Sequence, residues 1–179
     1  LEESVSRTAL RFMSLAAQKP LHLPNDLTEA ERKTAFDSSL GHGRVTLFDH
    51  FGSADSDHLL AKMRYMVVAL GAKFVVLDHL SILLSGADFM VSNTGSERQQ
   101  IDYTMSKLRQ FSEQYGCSII LISHLRRSGG DKGFEDGAEP TLSSLRGSQS
   151  VAQLADTVVA VSRDASGGED ILKVACLKN

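Results

Sequence analysis

The sequence predicts an α/β protein with a doubly wound, mainly parallel sheet, helices on both faces and a strand pair at the C-terminal end. Two near-continuous β-branched runs carry this reading. Lys73-Phe74-Val75-Val76-Leu77-Asp78 is the first, and Cys117-Ser118-Ile119-Ile120-Leu121-Ile122-Ser123-His124 is the second. One long helical pattern, Glu97 to Tyr115, lies between them. Apolar runs joined by a helix read as parallel strands covered on both faces. The same alternation places helical layers against a sheet. Ligands of open α/β sheets bind outside the carboxyl ends of the strands. Asp78 and His124 are therefore expected side by side at a ligand crevice.

The remaining elements follow in order. Glu3 to Gln18 carries Val5, Ala9, Phe12, Met13 and Ala16 at helical spacing, and Pro20 and Pro24 break the pattern. A polar helix is expected from Thr28 to Leu40, with Thr28 and Glu31 in capping-box relation. Gly41-His42-Gly43 reads as a turn, and Arg44 to Asp49 as a short strand. Ser56 to Leu70 is amphipathic, with Leu59, Leu60, Met63, Val67 and Leu70 on one stripe and Gly71 as its stop. In the long central helix, Ile101, Met105, Leu108 and Phe111 form the apolar face, and Gly116 ends it. Gly147 to Leu154 is a short helix. Thr157 to Ser162 and Ile171 to Leu177 form a hairpin across Asp164-Ala165-Ser166-Gly167-Gly168, a turn composition. No internal repeat divides the chain, and residues 1–179 read as a single, truncated domain.

Bulk composition narrows the classes. Hydrophobic residues are 42 % and charged residues 23 %, as in ordinary globular domains rather than disordered chains. A net charge of −3 gives no global basic field, so a nucleic acid contact has to come from a local loop. Cys117 and Cys176 both fall in expected buried strands and read as core residues, not as a disulfide or a metal pair. No apolar run reaches the roughly 18 residues that a membrane span needs. With no initiator Met, the chain reads as a piece of a longer protein.

The connections after the two central strands, Leu80 to Gly95 and Arg126 to Pro140, are long and lack a periodic pattern. Loops of that kind are uncommon in compact domains and are usually functional. Both leave the same edge of the expected sheet. A phosphate-hydrolysing centre with two such loops at its rim is the outline of a motor that couples nucleotide state to a bound polymer.

Four stretches then carry a family resemblance. They are Leu1-Glu2-Glu3-Ser4, Val75-Val76-Leu77-Asp78-His79-Leu80-Ser81, Ile120-Leu121-Ile122-Ser123-His124-Leu125-Arg126 and Leu145-Arg146-Gly147-Ser148-Gln149-Ser150-Val151-Ala152-Gln153-Leu154-Ala155-Asp156. In order and spacing they resemble the RecA-type motor domain of DnaB-like replicative DNA helicases. The Leu-Glu-Glu-Ser and Leu-Asp-His forms are most similar to the phage primase-helicases and Twinkle. The resemblance implies a RecA-like fold, ATP or another NTP with Mg²⁺, single-stranded DNA, a homo-oligomeric hexameric ring and an associated or fused primase. It implies the cytoplasm of a bacterial or phage-infected cell, or the mitochondrion for a Twinkle-like member.

Roles follow from the resemblance residue by residue. Glu2 is the general base that orients the attacking water, with Glu3 as its immediate neighbour. Asp78 holds Mg²⁺ through water. His124 senses the γ-phosphate, and Gln153 makes a second γ-phosphate contact. Lys178 matches a basic residue that acts in the neighbouring subunit's site. Arg126, Arg127 and Lys132 are the DNA-binding candidates, in a loop that also holds Asp131, Glu135 and Asp136. A P-loop, G-x-x-x-x-G-K-[ST], is absent from these residues. The 179 residues alone are therefore expected to bind ATP weakly and to hydrolyse it poorly, while the longer protein does both.

Each assignment has a plainer alternative. A strand-end aspartate can cap a turn, a histidine can be a satisfied core residue, and a glutamine can cap a helix. Arg126 and Arg127 can be a solvated loop. His79 reads as structural. Ser123 and His124 are adjacent on one strand and point to opposite faces, so they form no nucleophile–base pair. A RecA-like recombinase and a non-catalytic RecA-fold binding or assembly module are the rival functions.

Overall fold

The computed structural model describes residues 3–48, 56–80, 97–126, 133–134, 138–145, 149–165 and 171–179. Helix α1 spans Val5–Ala17 and α2 spans Glu29–Ser39. Ser4 caps α1, its hydroxyl accepting from the Arg7 N–H at 3.3 Å, and Gln18 ends the helix in the left-handed conformation at φ 52°. The Ser14 hydroxyl then accepts from the Leu21 N–H at 2.9 Å, which fixes the turn and buries Leu21. At α2 the capping box forms as expected: the Thr28 N–H donates to Glu31 Oε2 at 2.7 Å, and the Glu31 N–H donates to Thr28 Oγ1 at 3.3 Å. These hydrogen bonds, the backbone one foremost, hold the Glu31 carboxyl below its ordinary range. The two helices pack on each other.

The expected strand at Arg44 to Asp49 does not form. Residues 44–48 are irregular, and Asp49 lies outside the described residues. Val45 and Leu47 do alternate inward. Among the described residues no strand lies beside them to complete a ladder, and the Arg44 N–H is instead satisfied by His42 Nδ1 at 3.2 Å. Phe48 lies beneath the Lys62 ammonium, 4.2 Å from its ring centroid.

Helix α3, Ser56–Arg64, continues through a π-helical turn, Tyr65–Ala69, and stops at Gly71 with φ +72°. Strand β1, Phe74–Leu77, follows. The central helix α4 spans Glu97–Tyr115, and strand β2 spans Ser118–Leu121. Gly116, at φ +63°, makes the turn between them that a residue with a Cβ would strain. The Ser112 hydroxyl fastens it by donating to the Cys117 carbonyl at 2.7 Å.

β1 and β2 pair in parallel, Phe74 with Ser118 through Leu77 with Leu121. One core gathers on one side of this pair. Leu59 and Met63 of α3, Val75 and Leu77 of β1, the four expected α4 residues, Cys117 and Val151 all belong to it. Among the described residues, the other face carries no packed helix. Phe74 is 69 % exposed and Val76 60 % exposed, and Ile120 and Ile122 are also open. The expected covering on both faces is thus met on one, because among the described residues the packed helices lie on the Val75 and Leu77 side.

Beyond a 3₁₀ turn at Leu142–Ser144 comes the short helix α5, Gln149–Leu154. Strands β3, Val158–Asp164, and β4, Ile171–Lys178, form the expected antiparallel hairpin, a sheet separate from the parallel pair. The architecture is α/β. The described parallel sheet has two strands, β1 and β2. Burial pushes the Cys117 thiol up, as expected for a core cysteine, but Cys176 is exposed. β4 is largely open to solvent on the described surface, so its strand character did not bring burial with it.

Candidate functional site

The parallel ladder continues beyond the named strands. The Ile122 N–H donates to the Leu77 carbonyl at 3.0 Å, and the Leu80 N–H donates to the Ile122 carbonyl at 2.9 Å. Asp78 and His124 therefore leave the same end of the β1–β2 pair. Both are exposed. The residue that reaches His124 from the first strand is His79. Its ring centroid lies 4.4 Å from that of His124, at an interplanar angle of 65°. The Asp78–His79 peptide bond is cis.

The chain leaving His124 is tied to the next candidate segment. Leu125 and Leu145 form an antiparallel bridge. The Arg126 N–H donates to the Ser144 carbonyl at 2.8 Å, and Arg126 Nε donates to the Leu145 carbonyl at 3.0 Å. Arg126 is exposed, but part of its guanidinium is committed to this bond. Four residues past Leu145, α5 begins, and it carries the exposed Gln153.

Two cations anchor the far end of α5. Lys178 Nζ donates to the carbonyls of Ala152, Gln153 and Ala155 at 2.9, 3.1 and 2.7 Å. Carbonyls at a helix C-terminus have no partner within the helix, and a cation there satisfies them. Arg109 of α4 donates from Nη1 to both oxygens of Asp156, at 2.8 and 2.7 Å, and from Nε to Glu113 at 2.8 Å. These hydrogen bonds, that to Asp156 first, raise the Arg109 pKa. Lys178 is thus bound within its own chain at α5.

Of the two adjacent glutamates, Glu2 lies outside the described residues. Glu3 is paired with Arg11 of α1. Arg127 and Lys132 also lie outside the described residues. The structure brings Asp78 and His124 to one strand end and links His124 to the α5 segment through Leu125 and Arg126. Two features carried no sequence signal of their own: the His79 contact, and the capping of α5 by a lysine 25 residues from Gln153.

The family model described as "DnaB-like helicase C terminal domain" matches residues 4–174. The chain belongs to this DnaB-like helicase family. Among curated relatives, the DNA helicase/primase of Enterobacteria phage T3 is 34 % identical over 172 residues, covering 93 % of this chain and 30 % of that protein. The replicative DNA helicase DnaB of Leifsonia xyli subsp. xyli is 27 % identical over 175 residues, covering 95 % of this chain and 36 % of that protein. This DnaB-like helicase domain thus spans about a third of the length of both relatives.

Mg²⁺ fits the Asp78 end of this DnaB-like domain in one specific sense. Among the described residues, no group of three or more His, Cys, Asp and Glu is placed to hold a metal. Mg²⁺ dehydrates reluctantly and commonly uses one or two carboxylates with waters and substrate phosphates. A single exposed strand-end carboxylate suits that mode and would not build a closed metal cage. Among the described residues, no helix is long and apolar enough to cross a membrane.

Proposed function

We propose that this chain is part of the motor of an NTP-driven replicative DNA helicase. In this reading, hydrolysis in the longer protein drives translocation on single-stranded DNA and duplex unwinding. The carrying observation is the shared strand end: Asp78 after β1, and His124 after β2, joined across the ladder by His79. Phosphoryl transfer asks mainly for positioning and charge stabilisation, and a rigid strand end supplies the first.

The residues divide the work as follows. Asp78 would hold Mg²⁺, whose charge would offset that of the phosphates, and Glu2 would orient the attacking water. His124 donates to the γ-phosphate, and Gln153 makes a second contact with it. Loss of the γ-phosphate is passed from His124 through Leu125 and Arg126 to the loop that follows. Arg127 and Lys132, with the free part of Arg126, neutralise phosphates of the single strand. Lys178 contributes charge in a neighbouring subunit's site when it leaves α5. The ring is a homo-hexamer of RecA-like domains, each with a full doubly wound sheet. A primase activity, as named for the phage relative, belongs elsewhere in the longer protein, which works in the cytoplasm of a bacterial or phage-infected cell. The 179 residues hold no P-loop motif, so turnover is assigned to the longer protein.

The test is ATP hydrolysis by the full-length protein, measured with and without single-stranded DNA. Strong stimulation by DNA is expected. A soluble, assembled protein that hydrolyses nothing would overturn the motor reading and leave a binding or assembly role.

A further inference from the structure

We propose that His79 is a positioning residue that fixes the His124 imidazole beside the Asp78 strand end. The inference rests on the helicase reading and deepens it by naming what holds the phosphate sensor. His79 is only 7 % exposed, whereas Asp78 and His124, on either side of it, are open to solvent. A buried ring thus stands between two exposed polar groups at the candidate site.

The backbone around His79 is held on both sides. The Ile122 N–H meets the Leu77 carbonyl at 3.0 Å, and the Leu80 N–H meets the Ile122 carbonyl at 2.9 Å. The segment bearing Asp78 and His79 is therefore stitched to the strand that leads to His124. From that fixed base the His79 ring meets the His124 ring edge-on, 4.4 Å between centroids and 65° between planes. Tilted edge contacts of this kind are favoured by the quadrupoles of aromatic rings.

An exposed histidine without such a neighbour samples several rotamers, and ordering it costs free energy each time it is needed. Contact with a buried ring removes that freedom in advance. His79 is also covalently next to the Mg²⁺ candidate Asp78. A shift of the carboxylate is therefore one peptide bond away from a side chain that touches the sensor. The metal end of the first strand and the phosphate sensor on the second form one mechanical unit.

The test compares His79→Leu, which keeps volume and removes the ring, with His79→Phe, which keeps a ring edge. Thermal melting confirms that each is folded, and His79→Gln replaces the leucine variant if that one does not fold. The first readout is the ring signals of His124 in protein labelled with ¹³C,¹⁵N-histidine. The leucine variant should move them to the values of a freely rotating exposed histidine, and the phenylalanine variant should leave them fixed. The second is DNA-stimulated ATP turnover by the full-length protein. The leucine variant should lose about tenfold in kcat, the order seen when a side chain orienting a metal-site group is removed. KM for ATP should change less than kcat, because the nucleotide is also held by contacts that do not involve His124. His79→Phe should recover most of the loss. Unmoved His124 signals, an unimpaired kcat in the folded leucine variant, or equal losses in both variants would overturn the assignment. If the unaltered full-length protein shows no DNA-stimulated hydrolysis, the helicase reading falls, and the ring signals still decide whether His79 holds His124.

Discussion

Lys178 caps the helix that carries Gln153: its ammonium donates to the Gln153 carbonyl at 3.1 Å and to the Ala155 carbonyl at 2.7 Å. The end of β4 and the end of α5 are thereby one unit. A role for Lys178 in a neighbouring subunit requires that it first release α5, so the two sites compete for one cation. Lys178→Met should loosen α5. Hydrogen bonds from a charged donor contribute about 1.5–3 kcal/mol, so the Ala155 amide, which donates to the Val151 carbonyl at 3.2 Å, should exchange with solvent at least about tenfold faster. Unchanged exchange would show that the cap contributes nothing to α5.

Asp78 stands just past β1 and is exposed, so removing its carboxylate leaves the core untouched. Asp78→Ala in the full-length protein should keep the melting temperature while ATP turnover falls by orders of magnitude. Turnover equal to the unaltered protein, in a folded variant, would refute the Mg²⁺ assignment.

Arg126 has two tasks in this reading, a bond to Leu145 and a share in the DNA contact. Arg126→Ala with Arg127→Ala should weaken binding to single-stranded DNA. It should also flatten the plot of log affinity against log salt by about 0.7 for each phosphate no longer neutralised. An unaltered slope would remove both arginines from the DNA interface.

Ile101 is 1 % exposed and sits at the centre of the core beneath β1. Ile101→Ala should destabilise the protein by about 2–5 kcal/mol, the range for large-to-small changes in packed cores. Urea unfolding followed by circular dichroism measures it, and a loss within the error of the unaltered protein would place Ile101 outside the core.

Acid should act on the α2 capping box with a definite sign. The folded Glu31 carboxyl lies below its ordinary value of 4.5, first because the Thr28 N–H donates to it. Its contribution is therefore present above pH 4.5 and is lost as pH falls through the lower folded value. Thr28→Ala should lose this acid-sensitive part, so its stability and that of the unaltered protein should converge in that window. Parallel acid limbs for the two proteins would contradict the assignment.

The core face of α4 was legible because Ile101, Met105, Leu108 and Phe111 recur at the period of a helix, and that period depends only on local geometry. The α2 capping box was legible for the same reason, since Thr28 and Glu31 are three residues apart. The two central strands announced themselves by β-branched runs, but an apolar run does not say which of its faces is covered. Phe74 and Val76 are exposed where burial was expected. Arg44 to Asp49 has strand-like alternation and, among the described residues, lacks the neighbour a ladder needs. In the candidate site, Asp78 and His124 were placed by the rule that strand ends carry function. Lys178 at α5 and Arg109 at Asp156 join residues 25 and 47 positions apart, and no local pattern encodes such meetings.

The Leu125–Leu145 bridge has a consequence for how this domain can vary. Its two partners, with the Arg126–Ser144 hydrogen bond, bring two positions about 20 residues apart in the sequence together at one point. Once the ends meet, doubling the length between them adds only about 0.6 kcal/mol of closure cost. Insertions and deletions in that span are absorbed where they occur, with His124 and α5 left where they are. A change of length between Leu125 and Leu145 therefore need not displace the strand end that bears Asp78 and His124.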